Sequence, residues 1–488
     1  MPASPLNRQN LLLTGGFVFI TVALIVISNG NVAAALVPMV GIIALIAVIL
    51  LPLRITATVF FTIVILFHSR DAYFSWDVWN APLASLGPIL FENLRHHTGI
   101  GALKFNLVEL VFGLMLIVIG VRTLMRNNID HHLDMAAARP MKTAVALTLL
   151  AIFLGIAWGK IKGDFNSSEM LWQVRTRFWV PFLLIIAMRA FKTEQDIRRL
   201  AIALTVVCVV RIAEGMYLNF MIVIPQGLKI HCLMTHSDTV WFVTLIIVLI
   251  SSFLERADKK SLIRLVTLGG LVMYGIVIND RRIAFVSLAL GLVTILFLVR
   301  IEIRRILIRI IAAMLPIIIV YFVLGIYSES SIFAPVHSLV SVTDSQDASN
   351  WCRNVENHDL IETLRGNPLL GVGWGHGYND VLTEVKFTDF AFRYHPHNSM
   401  LGLLVFSGAI GFFLTWIYLP IGVFLARRAY LRASTPLQRT TAMTAVCTVI
   451  TFMIQSYGDM GAKDIKTAII LCTVLGCTAN LASRLDAN

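Results

Sequence analysis

The sequence predicts an all-α, polytopic integral membrane protein, and two observations carry this prediction. Of the 488 residues, 57% are hydrophobic and 14% are charged, and the mean hydropathy is +0.80, whereas soluble domains carry about a quarter charged residues. Basic residues also cluster in loops that recur after every second apolar stretch. The net charge of +12 therefore indicates cytoplasmic loops rich in lysine and arginine, and not nucleic-acid binding.

The apolar stretches predict where the helices lie. Some are shorter than the roughly 20 residues that cross a bilayer core, so we expect about 12–14 transmembrane helices. The first stretch lacks a small-residue cleavage site and is predicted to stay as an uncleaved anchor. The stretches cover residues 11–28, 32–51, 55–68, 102–121, 143–158, 178–190, 200–223, 237–254, 265–279, 283–299, 310–326, 398–425, 440–457 and 467–482.

Basic loops predict the orientation of these spans. They lie at about 122–142, 192–199, 256–264, 300–309 and 427–439, each two spans from the one before. The positive-inside rule assigns them, and with them both termini, to the cytoplasmic side. The long polar segment 327–397 then lies on the outer side.

We therefore predict one membrane domain in three parts. Residues 1–326 hold transmembrane helices 1 to about 11, residues 327–397 form one large outer loop, and residues 398–488 hold the last three transmembrane helices. Within the loop, a partial apolar stripe predicts a helix over 354–365. A glycine at every second position from Gly371 to Gly377 predicts a tight turn in which backbones approach closely.

The strongest candidate for chemistry is His397, which lies where the outer loop meets the next span, in His395-Pro-His-Asn398. Asn398 is a preferred N-cap residue, and Pro396 restricts the entry to the helix. The positive end of the helix dipole disfavours an imidazolium. His397 is therefore predicted to stay neutral near pH 7, as a general base must. The alternative is a histidine that only caps or supports the interface.

Two adjacent arginines, Arg281 and Arg282, form the second candidate. They open a span at its outer end, against the positive-inside trend and where a helix dipole disfavours a cation. Asp280 can pair with one of them but does not neutralise both. The sequence therefore predicts an external anion at this place.

The third candidate is Arg211, which is predicted to lie near mid-membrane. An arginine there costs at least ~2.5 kcal/mol and usually faces a cavity or a partner. Glu214, one turn further on, is the obvious partner, so a purely structural pair is the alternative to substrate binding. Four polar residues of the next outer loop could line the same cavity, although solvation in the loop is the preferred prediction for them: Lys229, His231, His236 and Asp238.

The histidine and the arginines share the outer face, and together they fit one kind of chemistry. The planar fork of arginine binds two phosphate oxygens at once. An enzyme that uses a lipid-diphosphate sugar must hold the diphosphate, stabilise its charge as it leaves and take a proton from an acceptor hydroxyl. This residue set fits glycosyl transfer without a metal. Asp344 and Asp347 lie in a serine-rich stretch that does not argue for a metal site.

At this point the chain resembles the O-antigen ligase and O-antigen polymerase superfamily of bacterial glycan assembly. His397-Asn398, the nine residues 399–407 and Gly408-Ala-Ile-Gly411 match its histidine motif. The segment Asn367-Pro-Leu-Leu-Gly-Val-Gly-Trp-Gly375 resembles the family's segment before the histidine, and Asp280-Arg-Arg-Ile-Ala-Phe285 resembles its arginine motif. The resemblance covers about 260–426 well and the N-terminal third poorly.

The resemblance implies a GT-C-like, all-helical membrane glycosyltransferase of the bacterial inner membrane, with its active site on the periplasmic face. Its donor would be an undecaprenyl-diphosphate-linked glycan and its acceptor a glycan or lipid A–core, with no metal or other cofactor. His397 would act as the base, and Arg282 or Arg281 would bind the donor diphosphate. Arg211, Asn398 and His395 would bind substrate.

Some alternatives stay open at the level of sequence. Polymerase and ligase share the histidine motif; polymerisation is the preferred prediction, and a protein O-glycosyltransferase is a weaker variant. A transporter or flippase of the lipid-linked anionic glycan would need no base, although paired half-helices with inverted symmetry are not found in the sequence. The sequence also leaves open the glycan, the oligomeric state and a Cys232–Cys352 disulfide on the outer face.

Overall fold

The computed structural model describes residues 48–67, 87–101, 103–124, 139–228, 233–328, 348–382 and 393–487, and the isolated positions 22, 42, 43, 45, 46, 83, 333, 336, 337 and 340. Within these residues the regular structure is helical and contains no strand. The predicted all-α fold is therefore confirmed. The chain divides into two compact units, Met1–Leu133 and Asp134–Asn488.

The first unit contains two longer apolar helices and two short ones. Phe60 and Phe61 of the first helix contact the ring of Phe112 edge to face, at centroid distances of 5.5 and 6.3 Å. The predicted spans 11–28 and 32–51 lie largely outside the described residues. The described helices are α1 (Leu53–Leu66), α2 (Gly87–Phe91), α3 (Leu94–Thr98) and α4 (Leu107–Leu124).

The second unit contains the remaining helices, and α7 continues through a π-helical turn to Gln226. The helices are α5 (Arg139–Lys162), α6 (Ser167–Ala190), α7 (Glu194–Leu218), α8 (His236–Arg256), α9 (Lys259–Asn279), α10 (Arg282–Leu298), α11 (Ile301–Tyr327), α12 (Ala348–Gly366), α13 (Ser399–Thr415), α14 (Tyr418–Arg432), α15 (Pro436–Gly458) and α16 (Ile465–Ala487).

Length and composition make nine helices of the described chain suited to crossing a membrane, and α1 and α10 are shorter apolar helices. Every predicted stretch from 55–68 onward falls on one helix, except 398–425, which falls on two, α13 and α14. The most apolar part of α11 has a mean hydropathy of 2.7 and is 0% buried, as expected of a helix that faces lipid on all sides. The chain is a multi-pass membrane protein. The predicted count of about 12–14 spans includes segments outside the described residues and stays a prediction.

The core of the second unit is built around α15. This helix packs against α8, α10, α14 and α16, and α16 packs in turn against α6. The buried positions of α15 include Thr444, Thr448 and Thr451. Small side chains of this kind allow helices to approach closely in a membrane protein.

Three of the predicted cytoplasmic loops meet at one end of this helix bundle. Glu255, at the end of α8, accepts a hydrogen bond from Tyr430 at 2.7 Å. Its carboxylate also pairs with Arg300 and Arg439, each at 3.4 Å. The connections 279–282, 393–398 and 459–464 lie at the other end of the helices they join. This arrangement agrees with the alternation of basic loops, and the side of the membrane stays a prediction.

The large loop holds a longer helix than the sequence predicts. The expected helix over 354–365 is confirmed and begins earlier, at Ala348 of α12. Cys352 on this helix is a free thiol, so a disulfide with Cys232, which lies outside the described residues, is not supported.

Candidate active site

His397 lies against a buried carboxylate that α12 supplies. Its backbone N–H donates to both oxygens of Glu356, at 3.1 and 3.0 Å, and its Nδ1 lies 3.3 Å from Oε1. The Glu356 side chain is 1% exposed, whereas that of His397 is 26% exposed. Because a carboxylate oxygen only accepts, this contact favours the tautomer with the proton on Nδ1 and the lone pair on Nε2.

Asn398 begins α13 as its N-cap, as predicted. Its Oδ1 accepts a hydrogen bond from Leu401 N at 3.0 Å, and its Nδ2 donates to Asn357 Oδ1 at 3.1 Å. The side chain therefore joins α13 to α12 beside the Glu356 contact. These bonds hold the histidine segment in place.

The glycine-rich segment 367–377, here called the glycine loop, inserts its backbone into a break in α13. Val372 N and Gly373 N donate to Val405 O and Phe406 O at 2.8 and 2.9 Å. From the other side of the break, two N–H groups of α13 donate back to the loop, Ala409 N to Pro368 O at 2.9 Å and Ile410 N to Leu369 O at 3.2 Å. The loop thus satisfies backbone groups that the interrupted helix leaves unpaired.

Glycines at both sides make this close approach possible. Gly408, at the break, has φ 63° and ψ −177°, and Gly371 has φ 70°. A Cβ on Gly408 would lie 2.2 Å from Leu369 O, and one on Gly371 would lie 2.5 Å from Val405 O. The predicted tight turn is confirmed. The expected single helix over 398–425 is wrong, because the break at Gly408 and the turn before α14 interrupt it.

Arg281 lies near the same end of the bundle and contacts a carboxylate from a distant loop. Its Nη1 lies 3.6 Å from Asp459 Oδ2 and also contacts the ring of His236. His236 and Asp459 contact each other as well. Burial raises the pKa of Asp459, but His236 and Arg281 outweigh this effect and lower it to about 2. The sequence predicts an external anion beside Arg281, but the chain itself supplies one negative charge there, that of Asp459. Arg282 follows as the first residue of α10 and is half-buried.

Arg211 is fully buried and held by two carboxylates. Its Nε and Nη2 donate to the two oxygens of Asp238 at 3.2 and 2.8 Å, and its Nη1 pairs with Glu214. The predicted Glu214 partner is confirmed. The expectation that Asp238 is solvated is wrong, because Asp238 is 2% exposed. His236 is half-buried and contacts Arg281. Lys229 and His231 lie outside the described residues.

His395 is half-buried against α6. Its Nε2 lies 3.5 Å from Glu169 Oε2, and its ring contacts that of Trp172 edge to face at 6.4 Å. Burial, with the nearby cations Lys463 and Arg177, lowers the pKa of His395 to about 3. The imidazole is therefore neutral, and its contact with Glu169 is a polar contact and not an ion pair.

The comparison with known families matches the segment that carries His397, Arg281, Arg282 and the glycine loop. Residues 270–417 match the family described as O-Antigen ligase. This part of the chain is similar to an O-antigen ligase domain. The predicted relationship to the O-antigen ligase and polymerase superfamily is thereby confirmed, and it supports a role as a glycan ligase or polymerase. No curated protein matches the chain.

Sequence reasoning missed three charged residues that lie beside the predicted ones. Glu356 lies within the matched residues 270–417, whereas Asp459 and Lys463 lie beyond them, in the connection between α15 and α16. Lys463 Nζ donates to Pro396 O at 2.9 Å, one residue before His397. For Asp459 and Lys463 the available signal was a charged residue in a short connection between two helices, and it is weak without knowledge of the contact.

The contact of Arg211 with Asp238 leads to a first prediction. Asp238→Asn removes a charge-assisted partner of a fully buried guanidinium, so we expect the free energy of unfolding to fall by about 1–3 kcal/mol. Thermal unfolding of the purified protein in detergent measures this loss. The conservative variant Asp238→Glu should recover part of it. An unchanged stability of Asp238→Asn together with weaker donor binding would instead favour substrate binding by Arg211.

The neutral state of His395 leads to a second prediction, on pH. An unfolded histidine has a pKa of about 6.5, so below that pH the unfolded chain binds a proton that the folded protein does not. Stability contributed by neutral His395 is therefore complete above pH ~6.5 and is lost toward pH ~3, by up to about 1.4 kcal/mol per pH unit.

Thermal unfolding from pH 7.5 down to 4.5 tests this dependence. His395→Gln should flatten the acid side of the profile relative to the wild type. His358→Gln, at an exposed position of α12, is the matched control and should leave the slope unchanged. Equal slopes for the wild type and His395→Gln would show that His395 is not buried in the neutral form.

Proposed function

We propose that the protein transfers a glycan from an undecaprenyl-diphosphate-linked donor to an acceptor hydroxyl, as a polysaccharide polymerase or an O-antigen ligase. The observation that carries this proposal is the contact of His397 Nδ1 with the buried carboxylate of Glu356, 3.3 Å away. A histidine oriented in this way presents Nε2 as a base. The O-antigen ligase domain gives the class of reaction in which such a base would act.

In the proposed reaction the acceptor oxygen attacks the anomeric carbon of the donor sugar. A new C–O bond forms there while the C–O bond to the diphosphate breaks, and the diphosphate leaves with the electron pair. Nε2 of His397 takes the hydroxyl proton. Glu356 holds the ring in place and stabilises the imidazolium that results.

The diphosphate needs cations as its charge develops. We assign this role to Arg282 and Arg281 at the start of α10. Arg281 contacts Asp459 at 3.6 Å, which orients its guanidinium, and Arg282 follows it as the first residue of α10. Arg211, paired with Asp238 and Glu214, is the weaker candidate for a substrate contact.

We place this chemistry on the periplasmic face of the inner membrane, with both termini in the cytoplasm. The support is the distribution of basic loops, three of which meet at the opposite end of the bundle around Glu255. The acceptor, by the same proposal, is a glycan or lipid A–core.

The test is the chain-length profile of the surface polysaccharide in a deletion strain complemented with wild type, His397→Ala or Arg282→Ala. At normal protein levels, His397→Ala should abolish the function. Single repeat units left behind would identify a polymerase, and long chains left on the carrier would identify a ligase. A normal profile for His397→Ala would remove the base from the proposal and favour a transporter of the same lipid-linked glycan.

A further inference from the structure

One buried arginine of the second unit has no acidic partner among the described residues. Arg177 on α6 is 6% exposed. Its guanidinium donates to Gln173 O one turn earlier and lies over the ring of Trp374 at 5.2 Å. In the part of the chain that the structure describes, its Nε has no hydrogen-bond partner. Because a buried charge is costly without a counter-charge, this arginine calls for an anion.

A lysine converges on the same place. Lys463 Nζ donates to Pro396 O at 2.9 Å, and Lys463 O accepts a hydrogen bond from Thr176, the neighbour of Arg177. Through these two hydrogen bonds, Lys463 links α6, the helix that carries Arg177, to Pro396, the residue before His397. Burial, together with the charge of Arg177, lowers the pKa of Lys463. The two cations therefore lie close enough to affect each other; Arg177 is buried and Lys463 is half-buried.

The nearby carboxylates are engaged with other groups. Glu356 accepts the backbone N–H of His397 and contacts its ring. Asp459 contacts His236 and Arg281. Within the described residues neither carboxylate forms an ion pair with Arg177 or Lys463, although both favour the charged form of the lysine from a distance. One buried positive charge at least is left to be matched by a ligand.

We propose that Arg177 and Lys463 form a phosphate-binding pair that holds the diphosphate of the lipid-linked donor as it leaves, next to His397. This inference rests on the proposed transfer reaction and adds two residues to its leaving-group site. The planar guanidinium of Arg177, which lies over the ring of Trp374, binds two oxygens of one phosphate, and Lys463 supplies a second positive charge.

The position of the pair relative to the base favours a diphosphate over an acidic sugar. The leaving oxygen and the attacking hydroxyl are bonded to the same carbon in the transition state, so the diphosphate site must lie close to the base. Lys463 Nζ donates a hydrogen bond to the carbonyl oxygen of Pro396, the residue immediately before His397. A diphosphate also carries enough negative charge to match two cations, whereas one sugar carboxylate does not.

Binding of farnesyl diphosphate to the purified full-length protein in detergent tests this proposal without turnover. Arg177→Met and Lys463→Met should each raise its Kd by about 10- to 100-fold, the usual effect of losing a charge-assisted hydrogen bond. Arg175→Gln is the matched control on the same helix; Arg175 lies over Trp172 at 5.6 Å and should leave the Kd unchanged. Unchanged Kd values in both methionine variants would overturn the proposal.

The stability of the ligand-free variants separates binding from a structural role. If Arg177 serves a ligand, removing its unmatched charge should leave the Tm of the ligand-free protein unchanged or raise it. A lower Tm with an unchanged Kd would show a structural cation and would overturn the proposal. If Arg177→Met yields no folded protein, Arg177→Lys, which keeps the charge and loses the fork, should still weaken binding several-fold relative to wild type.

Two further probes identify the ligand and separate this inference from the transfer reaction. Inorganic diphosphate should compete more weakly than farnesyl diphosphate; equal affinity would mean a site for a free anion and would overturn the lipid-linked assignment. His397→Ala should bind farnesyl diphosphate normally. If His397→Ala keeps transfer activity, the proposed base fails, whereas the Arg177 and Lys463 site stands or falls on the Kd values alone.

Discussion

Purified protein carrying His397→Ala should transfer glycan about 10²- to 10⁴-fold more slowly than the wild type, the usual contribution of a positioned general base. The loss should fall on kcat, because the base acts on the acceptor proton and not on the donor. Single-turnover transfer from a labelled lipid-linked donor measures it, with donor binding measured separately. Retained donor binding alongside lost transfer is the expected pattern.

Glu356→Gln should reproduce part of this loss. The glutamine keeps the shape, but it offers no carboxylate to accept the backbone N–H and Nδ1–H of His397 together. The histidine ring is then less well oriented. His358→Ala, at an exposed position on the same helix, should transfer normally. If Glu356→Gln is fully active while His397→Ala is inactive, the histidine works without the carboxylate.

Most of the helices could be predicted because their signal is local. A stretch long and apolar enough to cross a bilayer forms a helix whatever surrounds it, and so the predicted stretches from 55–68 onward fall on helices. The N-cap at Asn398 follows from its side chain for the same reason. The interruption at Gly408 was missed, since an apolar pattern carries no sign of a helix whose hydrogen bonds are completed by another segment.

The predicted site residues were found one at a time, but their partners were not. Glu356 lies 41 positions before His397, and Asp238 lies 27 positions after Arg211. Neither separation follows a helical or strand period, so only the packed structure reveals these pairs. Arg177 was passed over because one arginine at the edge of an apolar stretch looks like an interface residue.

Replacing the glycine at the break of α13 should have the largest effect on folding. Gly408 has a φ of 63° with ψ near 180°, a conformation that is essentially restricted to glycine. A Cβ there would also lie 2.2 Å from Leu369 O and 2.4 Å from Leu370 N. We expect Gly408→Ala to lower the free energy of unfolding by about 3–6 kcal/mol through strain and overpacking. Thermal unfolding and the monodisperse fraction in detergent measure this effect.

Two other glycines separate these causes. Gly163 has φ 85° and no described atom within 4 Å of an added Cβ, so Gly163→Ala should show only the backbone strain, about 1–2 kcal/mol. Gly270, inside α9, has the same open space and an ordinary helical backbone, and Gly270→Ala should be neutral or slightly stabilising. Equal losses of unfolding free energy for Gly408→Ala and Gly163→Ala would show that the glycine loop moves away from the added methyl group at no energetic cost.

The same junction can be tested from the loop side. A Cβ on Gly371 would lie 2.5 Å from both Gly408 N and Val405 O, so Gly371→Ala should resemble Gly408→Ala. Because either substitution separates the loop from the break, the double variant should lose much less stability than the sum of the two single variants. Additive losses would mean two independent strained sites. Strong non-additivity would mean that the first glycine of the loop and the first glycine of the histidine motif serve one contact, which holds α13 and therefore His397 in position.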